Sequence, residues 1–192
     1  MAASAPKVLL TGGGTGGHVY PALAIYQLLK QQGMAGEALY LGVRGRAEEK
    51  IVPKHGIELR FIPSAPFAET SLISKLLALL VILRGALAAA FHLIRFRPKL
   101  VIAAGGYVSA PVILAAFVLK PLLRLRIVVD EQNLVPGLLN KFASLFADVV
   151  LISFKETAYF IWNNRCVVTG YPVREQYLDE SVERAQARKA LG

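Results

Sequence analysis

The sequence predicts an α/β domain with a doubly wound, mostly parallel sheet of about seven strands. Short apolar runs alternate with longer segments of helical periodicity along most of the 192 residues, and this alternation is typical of βαβ units. The runs are apolar throughout, as expected for parallel strands that are covered on both faces. Two of them lead directly into glycines before a helical segment, which is typical of a Rossmann-like fold.

The order of elements follows from the positions of these runs. Strands are predicted at 8–11, 38–42, 58–62, 100–104, 127–130, 148–153 and 165–169, and helices at 18–32, 47–54, 71–97, 112–119, in a segment ending at 146, and at 181–191. Pro21 is compatible with the first turn of a helix, and Gly33 stands where that helix should end. Residues 1–178 are therefore predicted to form one domain, followed by a polar helix or linker at 179–192.

The first strand leads into the glycine-rich stretch Gly12-Gly-Gly-Thr-Gly-Gly-His18. Glycines at a strand-to-helix turn let the backbone approach a ligand closely, and the N–H groups at a helix start attract anions. The stretch is therefore interpreted as a cradle for a phosphate or sugar phosphate, with a titratable imidazole at its rim.

Two further strand ends carry unusual loops, namely Gly105-Gly-Tyr-Val-Ser109 and Asp130-Glu-Gln-Asn133. The carboxyl ends of parallel strands lie at one edge of the sheet, and ligands bind there. The three loops are therefore expected to converge on one site.

The composition indicates an anionic partner. The chain carries 22 Lys and Arg against 13 Asp and Glu, a net charge of +9, and 55% of its residues are apolar. It lacks the Lys/Arg clusters with interleaved aromatics that are typical of nucleic-acid binders, so a membrane surface is favoured over nucleic acid. The single cysteine, Cys166, excludes an intrachain disulfide and is interpreted as a small hydrophobic residue.

The segment 71–97 is the most apolar helix and has two interpretations. Its polar side is predicted to carry Ser74, Arg84, His92 and Arg95. A wide apolar face beside basic residues suits a helix in a bilayer interface, whereas a sheet-covering core helix would show a similar pattern. The N-terminus does not resemble a signal peptide, and no uncharged run is expected to reach the ~18 apolar residues of a membrane-spanning helix.

An NADP-dependent oxidoreductase is an alternative from another class. Gly12, Gly14 and Gly17 match the spacing of the dinucleotide fingerprint. The acid expected at the end of the second strand is replaced by Arg44, which could contact a 2′-phosphate. The fingerprint explains neither the other two loops nor the extra glycines.

Five segments together resemble the MurG family of GT-B glycosyltransferases (family 28). They are Gly12–Pro21, Val52–Ile57, Gly105–Pro111, Glu131–Asn133 and Gly170–Arg174. The resemblance covers nearly the whole chain and implies the N-terminal half of a two-domain enzyme. It implies inverting transfer of GlcNAc from UDP-GlcNAc to the C4 hydroxyl of lipid I (undecaprenyl-diphosphoryl-MurNAc-pentapeptide), in a peripheral protein at the cytoplasmic face of the bacterial inner membrane.

The resemblance also implies roles for individual residues. His18 is the candidate general base, and Glu131 is a second base candidate or an orienting group; a purely structural His18 remains an alternative. Thr15, Gly16, Gly17, Asn133 and Arg174 are expected to contact the sugar donor, and Gly13, Gly14, Gly105, Gly106 and Tyr107 to face the acceptor diphosphate. Neither a metal nor a cofactor is expected, because the chain has no Asp-x-Asp motif and GT-B enzymes generally need no metal for the chemistry.

Two positions depart from the family pattern. Asp130 stands where the family usually has histidine, and Tyr171 where it usually has asparagine. Most donor contacts in the family come from the second domain, so the 192-residue chain alone is expected to show little or no transfer. A non-catalytic, membrane-bound subunit of a split glycosyltransferase is a further alternative.

Overall fold

The computed structural model describes residues 5–66, 71–162, 165–173 and 188. Within them lies one seven-stranded sheet, in the order β3-β2-β1-β4-β5-β6-β7, and every neighbouring pair of strands is parallel. The strands are β1 (Val8–Thr11), β2 (Ala38–Gly42), β3 (Glu58–Phe61), β4 (Leu100–Ala103), β5 (Arg126–Glu131), β6 (Val149–Ile152) and β7 (Cys166–Val168). The predicted doubly wound fold is confirmed.

Five α-helices cover the two faces of this sheet within the described residues. They are α1 (Gly16–Gln31), α2 (Ala47–Ile51), α3 (Leu72–Phe96), α4 (Ser109–Leu123) and α5 (Leu138–Phe146), and two 3₁₀ helices lie at Val52–His55 and Lys155–Phe160. Successive strand residues point to opposite faces. Leu9 therefore packs in a core with α3, α4 and α5, while Leu10 packs in a second core with α1.

The strand order reverses between β1 and β4, which lie side by side although α1, β2, β3 and α3 separate them in the chain. Ligands of doubly wound sheets bind at such a switch point, outside the carboxyl ends of the strands. The first two glycine loops follow β1 and β4, so the topology places them next to each other.

Most predicted boundaries agree with the structure to within one or two residues. Two helices are exceptions. Helix α4 runs from Ser109 to Leu123 instead of 112–119 and contains Pro121. The predicted helix at 47–54 is α-helical only to Ile51 and continues as the 3₁₀ helix Val52–His55. The 3₁₀ helix at Lys155–Phe160 has no clear periodicity and was not predicted. Apart from Arg188, the predicted polar helix at 181–191 lies outside the described residues.

Helix α3 packs mainly through small residues together with Leu93, and it exposes most of its other large residues. Its buried positions are Ala78, Gly85, Ala86, Ala89 and Leu93. Leu72 is 83% exposed and Leu87 is 75% exposed. A helix buried in the core would bury most of its leucines. The interpretation of 71–97 as a core helix therefore does not hold for the outward face of α3.

The length and composition of α3 would also allow it to cross a membrane, with 28% of its most apolar window buried. Lys75, Arg84 and Arg95 interrupt the apolar residues of α3, so no uncharged run within this helix reaches ~18 residues, as the sequence predicts.

Candidate active site

The two glycine loops, after β1 and β4, are in direct backbone contact. Gly13 N donates a 3.3 Å hydrogen bond to the carbonyl oxygen of Gly105. Gly106 has a φ of 74°, and a Cβ at this position would collide with the carbonyl of Gly13. Only glycine fits this close approach. The loops after β1 and β4 therefore form one continuous surface.

Tyr107 covers the outer side of this surface. A Cβ at Gly14 would lie 3.4 Å from its ring, so the ring lies close over the first loop. The carbonyl of Tyr107 accepts a 2.8 Å hydrogen bond from Ser64 Oγ. The Arg46 guanidinium lies 5.9 Å from the ring centre. An aromatic ring and a cation thus lie beside the glycine loops.

The segment after β5 joins the same site. Gln132 Nε2 donates a 3.1 Å hydrogen bond to the carbonyl of Ala104, directly before the second glycine loop. The predicted convergence of the three loops is therefore confirmed. Arg174 lies outside the described residues.

His18 lies in the first turn of α1, half-buried at the centre of the three loops. Its Nδ1 is 3.2 Å from Thr15 Oγ1, and its Cδ2 faces Gly105. Burial lowers the pKa of His18 below its ordinary value, and the charge of Glu131 acts in the opposite direction. A neutral imidazole at pH 7 is the form that accepts a proton.

Glu131 is only 1% exposed, and both of its carboxylate oxygens accept hydrogen bonds. Oε1 accepts from the backbone N and the side-chain Nδ2 of Asn133, at 2.8 and 2.9 Å. Oε2 accepts from Asn140 Nδ2 at 2.9 Å. This geometry favours Glu131 as an orienting group and leaves His18 as the better placed proton acceptor.

Asp130 is fully buried beside Glu131. Burial raises the pKa of Asp130 to about 6; the hydrogen bond from Gln132 lowers it, and the charge of Glu131 raises it. Gln132 Nε2 lies 2.6 Å from Asp130 Oδ2, whereas Oδ1 has no hydrogen-bond partner among the described residues. The departure from the family pattern therefore places a titratable acid behind the site.

Sequence reasoning missed two buried residues at this site. Asn140 on α5 links Glu131 to the surroundings of Gly105, and its one sequence signal is a polar residue at a buried position of an amphipathic helix. Glu48 on α2 contacts the first glycine loop from behind. Its sequence signal is ambiguous because Glu49 follows it directly.

The residues that suggested a dinucleotide site have other partners. The guanidinium of Arg44 lies 4.9 Å from the ring centre of Phe61. Gly14 N donates to Glu48 Oε2 at 3.1 Å, although the second fingerprint glycine should allow the backbone to approach a pyrophosphate. The oxidoreductase alternative is therefore disfavoured.

A separate cleft of about 840 Å³ lies away from these loops. It is lined by residues of α4, α5 and the segment before β7, among them Phe117, Lys120, Phe146, Trp162 and Arg165. These residues lie toward the amino ends of β6 and β7, at the edge opposite the glycine loops. The chemistry-bearing groups are thus outside this cleft.

Residues 8–152 match the glycosyltransferase family 28 N-terminal domain. This chain belongs to glycosyltransferase family 28. Similar family members include the UDP-N-acetylglucosamine–N-acetylmuramyl-(pentapeptide) pyrophosphoryl-undecaprenol N-acetylglucosamine transferases of Symbiobacterium thermophilum, 40% identical over 97% of the chain, and of Desulforudis audaxviator, 39% identical over 97% of the chain. The chain spans about half the length of these relatives, 48% in both cases.

Two solved structures are similar to this chain. MurG of Acinetobacter baumannii is 30% identical, with a TM-score of 0.68 over 89% of this chain and 46% of that one. A glycosyltransferase of Rickettsia africae is 15% identical, with a TM-score of 0.65 over 98% of this chain and 49% of that one. The second likeness concerns the fold alone.

Proposed function

We propose that this family 28 chain provides the acceptor-binding half of an inverting GlcNAc transferase that uses UDP-GlcNAc and lipid I. The relatives that span its sequence are named for transfer of N-acetylglucosamine to a pyrophosphoryl-undecaprenol acceptor. The observation that carries the proposal is His18, which lies between two contacting glycine loops and beside the buried Glu131.

The site suits both the diphosphate of such an acceptor and the sugar that is attached to it. The N–H groups at the start of α1 and the neighbouring glycine loops suit a diphosphate. Arg46 adds a positive charge at the rim of the same surface. The imidazole lies beside these loops, so the sugar that is attached to the diphosphate would lie within its reach.

The proposed reaction is a direct displacement. His18 Nε2 takes the proton of the acceptor C4 hydroxyl while its oxygen bonds to the anomeric carbon of GlcNAc, and the bond from that carbon to UDP breaks, with UDP leaving. Thr15 holds the opposite ring nitrogen, at 3.2 Å. The negative charge of Glu131 stabilises the imidazolium that forms, in keeping with its effect on the pKa of His18.

A membrane surface is the proposed location of the lipid acceptor. The outward side chains of α3 form an apolar face that includes Leu72, Leu76, Leu80, Leu83 and Leu87. The net charge of +9 favours an anionic surface. We therefore propose peripheral binding at the cytoplasmic face of the inner membrane, through α3.

A binding titration tests the acceptor site. The chain is titrated with a short-chain lipid I analogue, with the same analogue carrying one phosphate instead of two, and with NADPH. Saturable binding of the diphosphate analogue, weaker binding of the monophosphate and no NADPH binding are expected. Arg44→Ala serves as the control, because this residue belongs to the disfavoured dinucleotide interpretation and should leave analogue binding unchanged.

Two results would contradict the acceptor proposal. One is the absence of analogue binding at concentrations that saturate a full-length relative. The other is NADPH binding that Arg44→Ala abolishes, which would identify the glycine loop as a dinucleotide site.

Sedimentation with vesicles tests the membrane proposal. Binding should increase with the anionic lipid fraction and fall at least tenfold in Leu76→Gln/Leu80→Gln, because exposed apolar area and charge both contribute to interfacial binding. The matched control is Leu28→Gln on α1, a leucine of similar exposure. Equal losses in both variants would contradict a role for α3.

A further inference from the structure

Glu48 is a completely buried carboxylate directly behind the first glycine loop. It is 0% exposed and lies in the first turn of α2. Its Oε2 accepts a 3.1 Å hydrogen bond from Gly14 N, and its Oε1 accepts a 3.0 Å hydrogen bond from Val43 N. No Lys, Arg or His of the described ranges forms an ion pair with it. The backbone N–H groups of two loops are therefore its hydrogen-bonding partners.

The space that Glu48 occupies explains two glycines. A Cβ at Gly13 would lie 2.6 Å from Glu48 Oε1, and a Cβ at Gly42 would lie 2.6 Å from Glu48 Cγ. Neither residue has a positive φ, so backbone conformation does not explain why these two positions are glycine. Both are small because the Glu48 side chain passes between the ends of β1 and β2.

A glycine-rich loop has many accessible conformations, and fixing one costs conformational entropy on ligand binding. An internal hydrogen-bond acceptor reduces this cost because it holds the loop in one conformation beforehand. Glu48 accepts from the loop at Gly14, and the adjacent residue Gly13 donates to Gly105 in the second loop.

We propose that Glu48 is a positioning residue, which acts as an internal anion that holds the first glycine loop against the second in the ligand-receiving conformation. The expected effect of Glu48 on acceptor affinity rests on the proposed function, whereas its effect on the conformation of the loop is independent of that function. The carboxylate satisfies Gly14 N from inside, so this N–H group is not offered to an external diphosphate.

The test substitutes Glu48→Gln, which keeps the shape of the side chain. The Gln amide offers one acceptor oxygen, and its NH₂ group faces a backbone N–H, so one of the two hydrogen bonds is lost. The matched control is Glu49→Gln, the next residue of α2, whose exposed carboxylate accepts from Gly45 N at 2.6 Å.

Two quantities are measured on the folded chain, namely hydrogen exchange of backbone amides and the Kd of the diphosphate analogue. Exchange at Gly14 or Val43 should accelerate about tenfold or more, as expected for the loss of a buried hydrogen bond. Exchange at Leu10 in the sheet should not change. The Kd should rise by about tenfold in Glu48→Gln and by less than about twofold in Glu49→Gln.

Each outcome supports or overturns the proposal. Unchanged exchange at both Gly14 and Val43 overturns it, and so does faster exchange with an unchanged Kd. If the wild-type chain does not bind the analogue, the proposed function fails, and the exchange measurement still decides whether Glu48 fixes the loop. If Glu48→Gln does not fold, Gly42→Ala replaces it, because the added methyl group displaces Glu48 while the carboxylate remains; the same two changes are then expected.

Discussion

Asn140 Nδ2 donates a 2.9 Å hydrogen bond to Glu131 Oε2, so the amide of a helix completes the hydrogen bonding of a carboxylate at the end of a strand. Asn133 saturates the other oxygen of that carboxylate. A buried charge is tolerated when its oxygens are hydrogen-bonded. Amide groups, and not a charged side chain, therefore hold the Glu131 carboxylate beside His18.

Asn140→Ala should destabilise the chain. It leaves Glu131 Oε2 without its amide partner in a buried site, and we expect the free energy of unfolding to fall by about 1–3 kcal/mol. Urea unfolding of the wild type and the variant measures the difference. Leu138→Ala is the control, because this exposed residue of the same helix should cost less than about 0.5 kcal/mol. Equal losses in both variants would show that the Asn140 hydrogen bond is not important for stability.

The titration of His18 should respond to Glu131. Burial lowers the pKa of His18, and the charge of Glu131 raises it in part, so Glu131→Gln should lower the titration midpoint further. Proton NMR of the imidazole C–H signals measures both midpoints. His92 is the internal control, because its charged neighbours are Arg60 and Glu58 and its pKa should not respond. A higher His18 midpoint in the variant would contradict the predicted electrostatic contact.

Asp130 should make stability decrease with rising pH. Its pKa is about 6 in the folded chain, above the ordinary value of 3.8 that applies when the chain is unfolded. Between these values the folded state keeps a proton that the unfolded state loses, so the free energy of unfolding falls from about pH 4 to about pH 6, and the penalty is complete above that range.

Asp130→Asn removes this titration. The stability of the variant relative to the wild type should therefore rise by about 1–3 kcal/mol between pH 4 and pH 7, since one pKa unit corresponds to about 1.4 kcal/mol. Urea unfolding at both pH values measures the change. A difference between variant and wild type that does not change with pH would contradict the raised pKa of Asp130.

The sequence predicted the strands and the convergence of the loops because both depend on local patterns. Apolar runs mark parallel strands, and glycines after β1 and β4 mark close backbone approach. The hydrogen-bond partners of Glu131 could not be predicted, because Asn140 reaches it through the packing of α5 against β5. Glu48 was missed for the same reason, since its burial depends on the path of α2 across the ends of two strands.

The direction in which α3 faces was also beyond the sequence pattern. Periodicity places Arg84 and Arg95 on one side, but it cannot show that Gly85 and Ala89 contact the domain while Leu83 and Leu87 point away. Hydrophobicity alone predicts the opposite, because leucine has the larger apolar surface to bury. The orientation of α3 follows from the close approach of its backbone at Gly85 to Pro63 and Pro111.

Gly85→Ala should destabilise the domain although alanine favours helix formation. A Cβ at Gly85 would collide with the carbonyl of Pro63 and lie 3.0 Å from Pro111 Cβ. Helix propensity alone predicts a gain of about 1 kcal/mol, whereas overpacking predicts a loss of about 1–3 kcal/mol. Urea unfolding distinguishes the two signs. Leu87→Ala, at an exposed position two residues further, should change stability by less than about 0.5 kcal/mol.

Because α3 is held by its small residues, the domain separates the positions that maintain folding from the positions that define the outer surface of this helix. Gly85, Ala86 and Ala89 are constrained by close packing, while Leu72, Leu76 and Leu87 have few packing constraints. Mutations on the outer face therefore have little effect on folding and are selected for surface properties alone. The two faces of one helix are expected to evolve at different rates and under different selection pressures.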